Sequence, residues 1–434
     1  MAPSLIPGCP HWELEFTDAG NRSDHAPFDL FMQQAPAQCS DVLVMSHGWN
    51  NSPDDARDLY SRFFGELGTL LAARGGTARK LGTVGLIWPS ILWPEDEHAD
   101  GTFKGGAAGL GTIAAPPPSD ADFLESLKDA FPGKGAALQR MAALLREQSA
   151  DPGKLAEFHR LMASLDDSAA GTGGPEDSGE SGLADANPET LFRRLYQQLP
   201  GAFRAGGAGL GDEIGKLWNG AKQGARMFTY WQMKKRAGVV GERGLGQVLA
   251  DLNAVTPRVR VHLIGHSFGA RLVSFSLLRA ANGPASNVST LFLAQGAFSH
   301  FAFADALPFD QSRGGALKGM MPRVAGPLCV THSKFDSAVG TAYPMASMLA
   351  REEAAAFDDQ LYRWGAMGHD GAQAVNAPDA PIGPVGTPYS FETSRFLNLD
   401  GDGVIKNGTG PSGAHSDIVH PEIAWVLAKA TALL

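Results

Sequence analysis

A serine stands between two glycines in Gly265-His266-Ser267-Phe268-Gly269, and what flanks it matters as much as the pentapeptide. Before it runs the apolar Val259-Arg260-Val261-His262-Leu263-Ile264; after it comes the helix-like Ala270-Arg271-Leu272-Val273-Ser274-Phe275. A strand that turns sharply into a helix exposes the residue at its tip, and the glycines let the two backbones pass close together. Ser267 is therefore read as a nucleophile. A serine hydroxyl is weak alone. The chain must also supply a base, an acid that orients the base, and donors for the charge that develops on an attacked carbonyl.

Each has a candidate, and the order along the chain is consistent. The run Asp41-Val42-Leu43-Val44-Met45-Ser46 reads as a short buried strand, followed by His47-Gly48-Trp49-Asn50 and a helix over residues 53–74. A His-Gly turn leaving such a strand offers the backbone N–H of Trp49, which pairs with that of Phe268 as an oxyanion hole. His47, Gly48 and His266 lie beside those amides and are candidates for substrate contact. Downstream, Gly326-Pro327-Leu328-Cys329-Val330-Thr331-His332 is another strand, and Asp336 a few residues on is the candidate acid. An aspartate there also suits a cap for a helix starting near Tyr343, and Asp370 is the substitute. The base must follow, from His369, His415 or His420. His415 sits in a loop before the C-terminal helix and can reach over the nucleophile; His420 lies beside Pro421 and reads as structural.

Ser267, then Asp336, then His415 is a chain order that, with His47-Gly48 and the elbow 265–269, resembles the α/β-hydrolase superfamily. The resemblance spans both ends of the chain. It implies an α/β fold with a mostly parallel sheet covered by helices on both faces. It also implies a carboxylic-ester hydrolase of esterase or lipase type, acting on a small-molecule or lipid-like ester with no metal or organic cofactor. An acyltransferase would use the same three side chains, and a non-catalytic binding protein on this fold is a further alternative. Residues 1–92 and 232–434 then form the two parts of the core, and residues 93–231 are a mainly helical cap inserted between them.

The remaining elements follow from pattern. Residues 11–18 alternate like a strand, and 28–34 read as its partner; 83–89 and 290–295 are further strands. Within the insertion, helices are expected at 121–131, 135–148, 154–165 and 189–199. The polar stretch 166–187 reads as a loop, and a helical return covers 233–255. The glycine-rich runs 105–111 and 206–211 follow no buried strand, so neither reads as a nucleotide loop. Residues 391–397 read as the last strand, with an Asp-Gly turn behind it. There Asn398, Asp400 and Asp402 resemble the start of a calcium loop, but its twelfth position is Thr409 rather than a glutamate.

Composition narrows the classes. The chain has 434 residues, 44% hydrophobic and 19% charged, enough for a large core. A net charge of −10, with no long block of like charge, argues against nucleic acid and anionic membrane surfaces as partners. Three cysteines without metal spacing fit a reducing compartment, with a Cys9–Cys39 pair as the alternative. Residues 1–8 lack the features of a secretory leader, so the expectation is a cytoplasmic protein, a trimmed secreted form remaining open; no segment has the length of a membrane span.

Overall fold

Runs such as Val42-Leu43-Val44-Met45 and Leu291-Phe292-Leu293-Ala294 are apolar at every position, so both faces of those strands must be covered. The computed structural model describes residues 3–76, 79–90, 131, 133–165, 186–198, 213–342, 363–408 and 412–434. Its centre is one eight-stranded sheet of β1 (His11–Glu15), β2 (Asp41–Ser46), β3 (Leu81–Ile87), β4 (Arg260–His266), β5 (Val288–Ala294), β6 (Leu328–His332), β7 (Asp379–Pro381) and β8 (Phe396–Asp400). The order is β1-β3-β2-β4-β5-β6-β8-β7, and every neighbouring pair is parallel. The class is α/β.

Successive side chains of each strand divide between two cores. Val42, Val44, Leu263 and Leu291 pack on one face; Leu43, Met45, Ile264 and Phe292 pack on the other. The second face is covered by the helix Pro53–Ala73 (α2), through Leu59, Phe63 and Leu67, and by the C-terminal helix Pro421–Ala430, through Ile423 and Leu427. Ser52 starts α2 with a reciprocal cap: its hydroxyl accepts from the Asp55 N–H at 3.1 Å, and the Asp55 carboxylate accepts from the Ser52 N–H at 2.8 Å.

One expectation is overturned at the N-terminus. Residues 28–34 are not a strand but part of the helix His25–Gln38 (α1), capped by Asp24, whose carboxylate accepts from the Ala26 N–H at 3.0 Å. Phe28, Phe31 and Ala35 are its buried residues, and their spacing of three and four is helical. β1 finds its partner in β3 instead.

The described part of the insertion is helical: α3 (Gly135–Glu147), α4 (Pro152–Ala163), α5 (Pro188–Gln198) and α6 (Glu213–Val239). The expected helix at 121–131 (Phe131 apart), both glycine-rich runs and residues 166–185 of the polar stretch lie outside the described residues, except that α6 begins two residues after the second run. α6 continues through a π-helical segment, Val240–Leu245, into α7 (Gly246–Val255). The expected return at 233–255 is thus the second half of a longer helical run, and the boundary between 231 and 232 falls inside α6. Leu138, Phe158, Phe192, Trp218 and Tyr230 belong to the same apolar core as Val44 and Leu263, so the insertion shares a core with the sheet. Cys9, Cys39 and Cys329 are free thiols. No helix among the described residues is long and apolar enough to cross a membrane.

Candidate active site

β2 and β4 are paired with Ser46 opposite Gly265, so the turns that leave them run side by side. Two residues further along each chain, Gly48 faces Ser267: a Cβ on Gly48 would lie 2.5 Å from the Ser267 Cβ and 2.9 Å from its Oγ. A Cβ on Gly269 would lie 2.2 Å from the Ser46 carbonyl oxygen. These two positions have no room for any other residue type, which is the steric reason for glycine at both. Ser267 itself has φ 57° and ψ −125°, a backbone conformation that a side chain disfavours by about 1–3 kcal/mol. The helix Phe268–Ser276 (α8) starts at the next residue.

The turn after β2 is fastened from several sides. The His47 N–H donates to the Tyr60 hydroxyl at 2.9 Å. The Trp88 indole N–H donates to the His47 carbonyl at 3.1 Å, and the two rings stack with centroids 5.4 Å apart. Asn51 Nδ2 donates to the Trp49 carbonyl at 2.8 Å. The N–H groups of Trp49 and Phe268 find no acceptor among the described residues.

His47 and His266, expected as substrate contacts, are engaged inside the protein. His47 Nδ1 lies 2.8 Å from the Gly48 carbonyl, which can only accept, and Nε2 lies 3.4 Å from the Trp88 N–H, which can only donate. The ring is therefore the neutral Nδ1–H tautomer, and burial pushes its pKa down to about 4. His266 donates from Nε2 to the His415 carbonyl at 2.9 Å, and burial, reinforced by the neighbouring His415, pushes it down to about 3. One ring nitrogen of each donates within the protein, and the His266 Nδ1 is buried without a partner among the described residues. Gly48 stays against Ser267.

The loop after β6 carries Asp336, and the loop before the C-terminal helix carries His415. A short antiparallel bridge between Asp336 and Gly413 joins the loops, with the Ala414 N–H donating to the Phe335 carbonyl at 2.9 Å. The bridge brings the His415 Nδ1 within 2.7 Å of Asp336 Oδ2, both residues fully buried. Asp336 Oδ1 accepts from the Val339 N–H at 3.2 Å. A carboxylate can only accept, so His415 Nδ1 carries a proton, and in the neutral ring the lone pair is then on Nε2. That Nε2 and the Ser267 Oγ are both buried and without a hydrogen-bond partner among the described residues.

The substitutes are committed elsewhere. Asp370 accepts from His369 Nδ1 at 2.7 Å and from His300 Nδ1 at 2.9 Å. The hydrogen bond to Asp370 holds the His369 pKa above the ordinary histidine value. His420 pairs with Asp417 at 2.7 Å.

The calcium reading also meets a different arrangement. The last strand lies later than expected, so Asn398 and Asp400 are strand residues rather than loop ligands. Asn398 Oδ1 accepts from the Ala372 N–H at 2.8 Å, and Asp400 accepts from the Asp402 N–H at 2.9 Å. Asp402 accepts from the Lys334 N–H at 3.0 Å and pairs with its ammonium at 2.8 Å. The Lys334 ammonium thus sits against Asp402, one of the three residues that resemble the start of a calcium loop. Among the described residues no group of three or more His, Cys, Asp or Glu side chains could hold a metal ion.

Sequence reasoning missed Gln295. It follows β5 and donates from Nε2 to Asp336 Oδ2 at 2.8 Å. No motif marks it. Comparison of the chain with family models, with curated proteins and with solved structures finds no match.

Proposed function

We propose that the protein is a serine hydrolase of the α/β-hydrolase type that cleaves carboxylic esters. One observation carries this reading. Within a buried site the Ser267 Oγ and the His415 Nε2 are both left without partners among the described residues, as are the Trp49 Nε1 and the His266 Nδ1 beside them, and the other nitrogen of His415 is held by Asp336 at 2.7 Å. An unsatisfied buried polar group costs about 1–3 kcal/mol, so a hydroxyl and an imidazole lone pair kept in that condition next to a strained elbow point to chemistry. The parallel sheet, with the elbow after β4, the His-Gly turn after β2 and the acid after β6, supports the same fold type.

In this mechanism His415 Nε2 takes the proton of Ser267 as Oγ attacks the ester carbonyl. Asp336 holds the imidazole tautomer and stabilises the imidazolium. The N–H groups of Trp49 and Phe268, free to donate, take the oxyanion. The imidazolium returns its proton to the leaving alcohol, leaving an acyl group on Ser267. Water, activated by the same imidazole, then releases the acid.

The insertion is read as a cap over this site. Its helix α6 sets Tyr230 against Trp49, with centroids 5.4 Å apart, and against Phe268, at 5.0 Å. Both oxyanion residues therefore touch the cap. A fluorophosphonate probe followed by peptide mapping tests the reading. Ser267 is expected to be the labelled residue, and Ser267→Ala is expected to abolish labelling. Label on another residue, or undiminished label on the alanine variant, overturns it.

A further inference from the structure

Gln295 has φ 48°, in the left-handed region that glycine tolerates best. Its side chain is fully buried. A glycine would relax this backbone, so the glutamine stands here for its side chain. All of its amide atoms are used. Oε1 accepts from the Thr331 hydroxyl at 3.0 Å. Nε2 has two hydrogens; one goes to the Gly368 carbonyl at 3.0 Å and the other to Asp336 Oδ2 at 2.8 Å.

The orientation of this amide follows from its partners. The Gly368 carbonyl and the Asp336 carboxylate can only accept, so the nitrogen must face them. Thr331 agrees. Its oxygen accepts from the Gln295 backbone N–H at 3.2 Å, which leaves the hydroxyl proton for Oε1. Thr331 lies in β6 opposite Ala294 at the end of β5, so the sheet register delivers the hydroxyl. A chain of hydrogen bonds therefore runs from Thr331 through Gln295 and Asp336 to His415.

We propose that Gln295 is a positioning residue for the catalytic acid, set by Thr331, and that it turns Asp336 Oδ2 toward the His415 Nδ1. This rests on the hydrolase reading above. Gln295 touches neither Ser267 nor a substrate in this assignment. It acts through Asp336, by giving Oδ2 a second fixed donor beside the imidazole. The Val339 N–H holds the other oxygen, so the carboxylate has no freedom to rotate.

The test uses the full chain with a p-nitrophenyl acetate assay and the fluorophosphonate probe. Gln295→Met keeps the shape and removes the donor. It is expected to lower kcat tenfold or more, with KM within twofold. Gln295→Glu places an acceptor against Asp336 when ionised and a donor when protonated. Its kcat relative to the unaltered protein is expected to rise as pH is lowered, whereas the ratio for Gln295→Met stays flat. A residue that mattered only for packing would give flat ratios for both. Thr331→Val is expected to act in the same direction as Gln295→Met and to add little to it, because the two share one interaction; Thr331→Ser is expected to keep kcat. The Thr331 pair also decides the matter if a Gln295 variant does not fold.

The inference is overturned by a Gln295→Met protein with kcat within twofold of the unaltered one, or by a Gln295→Glu ratio that does not change with pH. It is likewise overturned by Thr331→Val with unchanged kcat. Labelling at Ser267 in the unaltered protein separates these failures from that of the hydrolase reading. If Ser267 does not label there, the reading and this inference fall together.

Discussion

His266 Nε2 lies 2.9 Å from the backbone carbonyl of His415, so the residue before the proposed nucleophile holds the backbone of the proposed base. Their rings stand 5.0 Å apart. Residues 149 positions apart in the chain are tied at the point where their relative placement matters most. Replacing His266 with Phe should leave that buried carbonyl unpaired and destabilise the protein by about 1–3 kcal/mol. Turnover should fall further than stability alone explains, because the base is no longer anchored. Chemical denaturation alongside steady-state kinetics checks this; His266→Phe with full kcat would refute it.

The same burial makes the protein acid-sensitive. His47 is held down to about 4 and His266 to about 3, against an ordinary value of 6.5. In the unfolded chain both take protons near 6.5, while the folded protein refuses them. Unfolding therefore binds protons. The contribution of each is complete above about pH 6.5 and is lost as pH falls from there through 4 and 3. Shifts of this size correspond to roughly 3–5 kcal/mol per residue. Denaturation midpoints measured from pH 7 to pH 4 should fall steadily, and His266→Gln should fall less steeply. Equal slopes for the two proteins would count against the assignment.

Gly48 has no room for a methyl group. In Gly48→Ala the new Cβ would have to move from a position 2.5 Å from the Ser267 Cβ, which displaces either the nucleophile or the Trp49 amide. Losing one oxyanion donor typically lowers kcat by about 10²–10³. We expect a drop of that order, with the sheet intact by circular dichroism. Normal turnover would mean that the turn after β2 plays no part in the chemistry.

The Asp336–His415 pair predicts a graded series. His415→Ala should lose nearly as much turnover as Ser267→Ala. Asp336→Asn should lose about 10³–10⁴-fold, because an amide at 2.7 Å from Nδ1 favours the wrong tautomer. By contrast, His420→Ala, whose histidine is tied to Asp417, should remain within a few-fold of full activity. Reversal of that ranking would move the base to another residue.

Tyr230 tests the proposed cap. Shortened to Ala, it vacates space against Trp49 and Phe268. The kcat/KM ratio of hexanoate to acetate p-nitrophenyl esters should then change by several-fold or more, since acetate requires the nucleophile and its donors but little of the wall. An unchanged ratio across the ester series would place the substrate on another side of Ser267.

The turns after β4 and β2 are legible in the chain because glycine is forced there by contact. Gly269 and Gly48 each face an atom nearer than any Cβ allows, and such positions leave a mark in sequence. Phe28, Phe31 and Ala35 have helical spacing, yet the apolar content of 28–34 is equally that of a strand, and in the folded chain the Asp24 side chain caps the helix. Asn398 and Asp400 looked like loop ligands because oxygen side chains alternate with neighbours in strands and in calcium loops alike. Gln295 carries no local mark, since its role is made by the pairing of β5 with β6 and by the position of Asp336. The work of His266 is likewise invisible before a distant loop has been laid against it.

Every strand pair in the sheet is parallel, so no two neighbouring strands are joined by a tight hairpin. Each pairing waits for a crossover to be completed, and contacts of this kind form late and slowly. The turn that carries Ser267 is tied to the Asp336–His415 pair, through His266 and the His415 carbonyl, only when β4, β5, β6 and the last loop have assembled in register. On the proposed reading, a chain part-way through folding carries its serine as an inert hydroxyl. Recovery of probe labelling during refolding is thus a clock for closure of the whole sheet, read at a single oxygen atom.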